Sequence, residues 1–391
     1  MTITGLIYWI IKIFEIYLLY LYGGKMSQCK TSVSYWKLAI VPILCFALVE
    51  GLRWGHMIDY NVYAERYTDV NNWFTQEESS SPVFTIIVYF LKGLGCPYPL
   101  FLVFQCGFLI FSAILALKNY REYLKWILPC MIIALGGTEN FIRYFLAHSF
   151  VLISYYYYQN NKILKYAVFA MLGVFTHFGS VPFIFILTFS KSFSFKRIPA
   201  KVVAALFLIA TFIISVADLH FLVTMSNYIL SFTGGVENQG LVYLSRMDDI
   251  IAGDTGFLGT QVAKFSSQIK SILLYIPIIF IAPKYLDTVY RGNVIYNLFA
   301  ITIIIAPVFG QVELLGRLTN SLQFFEAILV GITLYYMFKT KEYSLLLPIM
   351  ITLLYFYSVV NAPFARNDWD MYFIWDSGGR LTNWGPYLRG L

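Results

Sequence analysis

The stretch GLRWGHMIDYNVYAERY, Gly51 to Tyr67, lies just beyond the second apolar run of the chain. It sets Arg53, His56 and Asp59 where a membrane helix meets water. Ionisable groups at that depth are costly to keep and usually serve a site. Apolar runs of roughly 20 residues recur along the sequence, the length a helix needs to cross a bilayer. The chain is 59% hydrophobic and 13% charged, with mean hydropathy +0.67. It reads as an all-α, polytopic integral membrane protein. Its 31 Tyr and 35 Phe suit lipid-facing and interfacial positions. The net charge of +7 does not point to nucleic acid, because the basic residues are scattered over short loops.

Those loops give the orientation. More than half of the 28 Lys and Arg fall in six short connections: Lys25/Lys30/Lys37, Lys118/Arg121/Lys125, Lys162/Lys165, Lys191/Lys196/Arg197/Lys201, Lys284/Arg291 and Lys339/Lys341. By the positive-inside rule these are cytoplasmic. The longer connections near 53–97 and 219–268 are acid-rich and are expected to face outward. The first apolar run carries Lys12 and Glu15 and lacks a small-x-small cleavage site, so no cleavable signal peptide is expected. Lys12 and Glu15, three apart on one helix face, are expected to neutralise each other. The five cysteines show no paired spacing and read as small hydrophobes.

Helices are expected near 2–22, 38–53, 98–117, 124–138, 140–158, 199–218, 269–283, 293–311, 318–338 and 343–360. Two stretches do not fit a simple span. Segment 82–96 opens with Pro82 and closes on Gly93-Leu94-Gly95-Cys96-Pro97, and reads as an outer interfacial or re-entrant helix. Segment 164–190 must leave and return to the cytoplasmic side, and breaks at His177-Phe178-Gly179-Ser180 with Pro182 just after. Broken backbone at that depth is tolerated only inside protein or beside a wet cavity. The expectation is about twelve membrane-inserted helices with both termini outside. They form one transmembrane domain over 1–361, followed by a periplasmic tail, 362–391.

Four elements then recur in order. Gly51, Leu52, Arg53 and Trp54 lead to Asp59, Tyr60 and Tyr63. Ile142-Arg143 begins a later helix. Thr176-His177 and Ser180 form a turn after a basic loop. Arg317 leads a helix rich in Leu and Phe. Over residues 1–340 this order and spacing resembles the EpsG family of polysaccharide polymerases, which overlaps functionally with the Wzy-type O-antigen polymerases. Tyr144 stands where that family often has Gln. The resemblance implies a GT-C-like membrane glycosyltransferase in the bacterial inner membrane, with its active site facing the periplasm. It would use undecaprenyl-diphosphate-linked oligosaccharide repeats as donor and acceptor, among membrane lipids. A chain-length regulator protein is a candidate partner, and neither nucleic acid nor a cofactor is expected.

Arg53, Arg143 and Arg317 all fall at outer ends of expected helices. A guanidinium stays charged and binds phosphate oxygens in a bidentate way, so the three are candidates for holding a lipid diphosphate and stabilising it as it leaves. The structural alternative is snorkelling to headgroups, or pairing with Glu139 and Glu313, each four residues earlier. Transfer to a sugar hydroxyl needs a base or an orienting group, and Asp59, His177 and Glu139 are the candidates. For His177 the alternative is a hydrogen bond tying two half-helices together, while His148 in mid-helix is assigned a structural role. Tyr60 and Tyr63 are candidates for contacting the acceptor sugar, although Tyr also collects at any membrane interface. Asp368-Trp369-Asp370 mimics a metal motif of nucleotide-sugar transferases but should lie outside, away from nucleotide sugars. No divalent metal is expected, because three arginines can neutralise the diphosphate. No zinc cluster, phosphate loop or nucleophile elbow is present in the sequence. A flippase for the same lipid-linked sugar and an O-antigen ligase remain the alternatives. A transporter would usually show repeated halves with matching broken helices.

Overall fold

A computed structural model describes residues 3–53, 60, 63–64, 67, 81–138, 141–189, 196–212, 261–309, 313–364 and 373–375, with backbone alone for 261–265, 308–309 and 313–318. The described residues form α1 (Ile3–Ser27), α2 (Ser32–Gly51), α3 (Pro82–Gly93), α4 (Tyr98–Ala116), α5 (Leu124–Ala134), α6 (Ile142–Gln159) and α7 (Ile163–Thr176). These are followed by α8 (Val181–Phe189), α9 (Ala200–Phe212), α10 (Gln261–Ile281), α11 (Gly292–Phe309), α12 (Glu313–Thr340), α13 (Leu346–Tyr355) and α14 (Tyr357–Asn361). The only β contact among them is one isolated antiparallel bridge, Arg53 to Phe373.

The first helix shows why this is a membrane protein. It buries Gly5, Lys12, Leu19 and Met26, spaced by seven, together with Glu15 and Gly23. It exposes Ile3, Ile7, Ile10, Ile13, Phe14 and Tyr17. Charge faces inward and hydrocarbon faces outward, the reverse of a helix on a water-soluble core.

Among the described residues five helical stretches are long and apolar enough to cross a bilayer, or six if a pair bent by 75° at Phe356 counts as one. Five shorter apolar helices accompany them. The longest stretch, Tyr98–Ala134, is folded back on itself. A 3-10 turn over Leu117–Tyr123 carries a non-helical Tyr120. The Tyr35 hydroxyl near the start of α2 donates to Ile114 O, 3.2 Å away, near the end of α4. A Cβ on Gly23, near the end of α1, would meet Leu124 O at the start of α5. These contacts put the end of α4 and the start of α5 at one end of the bundle, as the charges of Lys118 to Lys125 require.

The same end gathers the other basic turns. Asn161, Arg291 and Lys341 adopt φ of 56°, 50° and 54° in tight reversals there. Arg197 donates to Pro283 O at 2.6 Å and to Asn293 Oδ1 at 3.0 Å, and it pairs with Asp287. Lys284 pairs with Glu342.

Element boundaries differ from expectation where local chemistry intervenes. α2 starts at Ser32 because the Thr31 side chain caps it, accepting from Ser34 N at 3.1 Å. α12 starts at Glu313, so Arg317 lies inside its helix. α3 has Pro82 in its first turn and is only 12 residues long, ending near Gly95 at φ 74°. At about 1.5 Å per residue it is shorter than a hydrocarbon core is thick.

Candidate functional site

At the end opposite the basic turns, α2 finishes at Gly51 hard against α4. A Cβ on Gly51 would lie 2.5 Å from Val103 Cα and 2.7 Å from Val103 N. That close approach fixes the last turn of α2 and the residues beyond it. Glu50 and Arg53, three apart, pair through Arg53 Nη1 and Glu50 Oε2 at 3.3 Å. From α1, Lys12 reaches both Glu15 Oε2, at 2.7 Å, and Glu50 Oε1. Lys12, Glu15, Glu50 and Arg53 are each 7% exposed or less. Two cations and two carboxylates balance, which is the condition for keeping charges in a low-dielectric interior.

The three-residue spacing of Lys12 and Glu15 predicts that they neutralise each other. The pair forms, but Lys12 also takes Glu50, which sequence reasoning had not singled out. A Glu three residues before Arg53 at a helix end was the available signal.

The Tyr8 ring lies under the Arg53 guanidinium, 5.5 Å from its centroid. The chain returns at residues 373–375, where Ile374 N donates to Leu52 O at 2.9 Å and Phe373 bridges to Arg53. Tyr8, Lys12, Glu50 and Arg53 line a cavity of about 120 Å³, bordered also by Ile132 and Ile133 of α5, Gly136 just after it, and Ser358 and Val359 of α14.

A second cluster forms where α6 begins. Arg143 Nε donates to the Tyr63 hydroxyl, and its guanidinium lies 5.4 Å from the Tyr63 ring centroid. Tyr144, the next residue, shares a hydrogen bond between its hydroxyl and that of Ser321, one turn after Arg317 on α12. The Tyr144 ring meets His177 edge to face at 6.3 Å and stacks on His148 at 6.0 Å. His148 stacks on Phe183 from its other side at 5.1 Å. It is buried between two aromatic rings, consistent with a structural part.

The break at His177 falls where the sequence placed it. α7 ends at Thr176, His177 is extended at φ −160°, ψ 118°, and a 3-10 turn over Phe178–Ser180 leads into α8. Ser180 N donates to His177 O at 3.0 Å, so the turn is closed by backbone. Gly179 packs close to the imidazole: a Cβ there would lie 3.0 Å from His177 Nε2, so the ring would have to shift to admit one. α8 then turns back toward the end of α6, where Thr188 O accepts from the Tyr158 hydroxyl at 2.5 Å.

The expected site residues therefore fall into groups. His177 is touched by Tyr144, which the sequence marks only as a substitution, while Arg143, the residue before it, turns to Tyr63. Arg53 sits in its own charge cluster at the same end of the bundle. For Arg317 the backbone is described, one turn before Ser321. Tyr60 and Tyr63 are 3% and 7% exposed. With Ala64 and Tyr67 they recur at helical spacing and pack into an aromatic cluster with Phe84, Tyr98 and Phe101. Their rings serve packing in this state, and the Tyr63 hydroxyl serves Arg143. Asp59 and Glu139 lie outside the described residues.

These observations define an all-α polytopic membrane protein with paired charges and an aromatic-histidine cluster at one end of its bundle. The EpsG family profile matches residues 36–374, and the chain belongs to the EpsG family. Membership supports a polysaccharide-polymerase-like role. No curated protein and no solved structure matches the chain. The matched range begins beyond α1, so Tyr8, Lys12 and Glu15 lie outside it.

Proposed function

We propose that the protein is a glycosyltransferase of the bacterial inner membrane. It joins undecaprenyl-diphosphate-linked oligosaccharide repeat units into O-antigen or a related surface polysaccharide. The acceptor hydroxyl attacks the anomeric carbon of the donor sugar. The bond from that carbon to the diphosphate oxygen breaks, undecaprenyl diphosphate leaves, and the hydroxyl proton passes to a base. The observation that carries this reading is the contact of Tyr144 with both His177 and Ser321 at one end of an EpsG-family bundle, with Arg143 beside it held by Tyr63 and Arg53 at that same end. The gathering of the basic turns at the other end supports a periplasmic site, by the positive-inside rule.

In this reading Arg53, Arg143 and Arg317 engage the diphosphate and stabilise its growing charge as it departs. Asp59, His177 or Glu139 accepts the proton or orients the acceptor. Tyr60 and Tyr63 border the acceptor's approach, and Tyr63 holds Arg143 in place.

Gene deletion with complementation, followed by profiling of surface glycans, tests it. The expected phenotype is loss of long chains with a single repeat still attached. Loss of every repeat would assign the protein to ligation or flipping instead.

A further inference from the structure

We propose that Lys12 is a positioning residue for Arg53: by holding one oxygen of Glu50, it stops that carboxylate from closing on the guanidinium through both oxygens. The inference rests on the reading that Arg53 binds the donor diphosphate. Lys12 comes from α1, outside the region that matches the family, yet it lines the same cavity as Arg53. Glu50 is shared. Its Oε1 accepts from Lys12, and its Oε2 meets Arg53 Nη1 at 3.3 Å, long for a charge-assisted hydrogen bond. A carboxylate and a guanidinium left to themselves favour the two-bond fork, which is the stronger arrangement. A phosphate arriving at Arg53 competes with Glu50 for the same donors. With Lys12 in place the competitor is half engaged elsewhere, and without Lys12 it is wholly available to Arg53. Glu15, 2.7 Å from Lys12, completes the charge balance that keeps Lys12 buried.

Lys12→Met alone would leave two buried carboxylates facing one cation, so the test uses Lys12→Met/Glu15→Gln, which keeps the count even. Geranylgeranyl diphosphate, a short lipid diphosphate, is titrated calorimetrically onto full-length protein in detergent. Size-exclusion profiles monitor folding. Wild-type protein is expected to bind, and Arg53→Gln to bind far more weakly. Lys12→Met/Glu15→Gln should lose roughly tenfold, the scale of one hydrogen bond to a charged group. Lys12→Arg should match wild type. Adding Glu50→Gln to the double variant should restore affinity, because the competitor is gone.

Wild-type affinity in Lys12→Met/Glu15→Gln overturns the proposal and leaves the Arg53 reading standing. Weak binding that persists in the triple variant also overturns it, since Lys12 would then contact phosphate itself or act only through folding. Equal binding by wild type and Arg53→Gln removes the underlying reading and this proposal with it. Should the triple variant fail to fold, Lys12→Arg decides: affinity as low as that of the double variant overturns the positioning role.

Discussion

The Tyr144 ring meets the His177 imidazole edge to face, with centroids 6.3 Å apart and planes at 82°. Its hydroxyl meanwhile bonds Ser321 on α12. One side chain therefore couples the start of α6, the break between α7 and α8, and the helix that carries Arg317. Tyr144→Phe keeps the ring against His177 and removes the hydroxyl that bonds Ser321, so it should cost about 1 kcal/mol of stability. Tyr144→Ala removes both and opens a cavity, for about 3–5 kcal/mol. Thermal unfolding in detergent should rank them in that order, and polymer length should fall in Tyr144→Ala well before it falls in Tyr144→Phe. Equal behaviour of the two would mean that the ring contact with His177 contributes nothing.

Gly51 tests how the Arg53 cluster is placed. Gly51→Ala would drive a Cβ to 2.5 Å from Val103 Cα, backbone that cannot swing aside. Overpacking of that kind costs about 1–3 kcal/mol. Gly24→Ala is the matched control, since its Cβ would meet only the Lys125 side chain at 3.6 Å. Alanine is also the better helix former by about 0.5–1 kcal/mol, so that control should be neutral or slightly stabilising. A Gly51→Ala protein as stable as Gly24→Ala would contradict the close α2–α4 contact.

Much of this was legible in the sequence, for identifiable reasons. The membrane class follows from apolar runs that no soluble fold needs. The hairpin of α4 and α5 was readable from the charges of Lys118 to Lys125, because orientation depends on loop charge more than on side-chain contacts. The break at His177 was readable from Gly179 and Pro182. Tyr60, Tyr63 and Tyr67 stood at helical spacing, but composition alone could not say whether their rings faced sugar or one another. The link of Lys12 to Glu50 spans 38 residues and that of Tyr144 to Ser321 spans 177. Such pairings are made by helix packing, and no periodicity within a segment records them.

Asp59 and His177 are separable by substitution. Asp59→Asn keeps shape and removes charge, and His177→Ala removes the imidazole from the turn. In stably inserted protein at least one of them should abolish elongation, with a loss on the order of 10²-fold or more for a positioned acid or base. Normal chain length in both variants would refute their place in the site. Failure of one alone assigns it the catalytic part and leaves the other a structural one.

Elongation should proceed without a divalent metal. In the proposed reaction the donor carries its own diphosphate leaving group, and arginines can neutralise it. Purified protein given lipid-linked repeat units in excess chelator is expected to extend them at an unchanged rate. Activity that returned only on adding magnesium or manganese would show that the arginines do not suffice.

Arginine and lysine should not be interchangeable at Arg143. Its Nε donates to the Tyr63 hydroxyl while the plane of the group lies over the Tyr63 ring. A guanidinium anchored through Nε still presents two terminal nitrogens as a fork toward phosphate oxygens. An ammonium satisfied by Tyr63 has no second, oriented donor pair to offer. Arg143→Lys preserves charge, so insertion and yield should match wild type. Donor KM should nevertheless rise roughly tenfold, the worth of one charge-assisted hydrogen bond. Tyr63→Phe separates anchoring from charge: it leaves the fork intact but unheld, so it should lower kcat more than it raises KM. Arg143→Lys kinetics indistinguishable from wild type would reduce the residue to a point charge at the membrane surface and remove it from the diphosphate site.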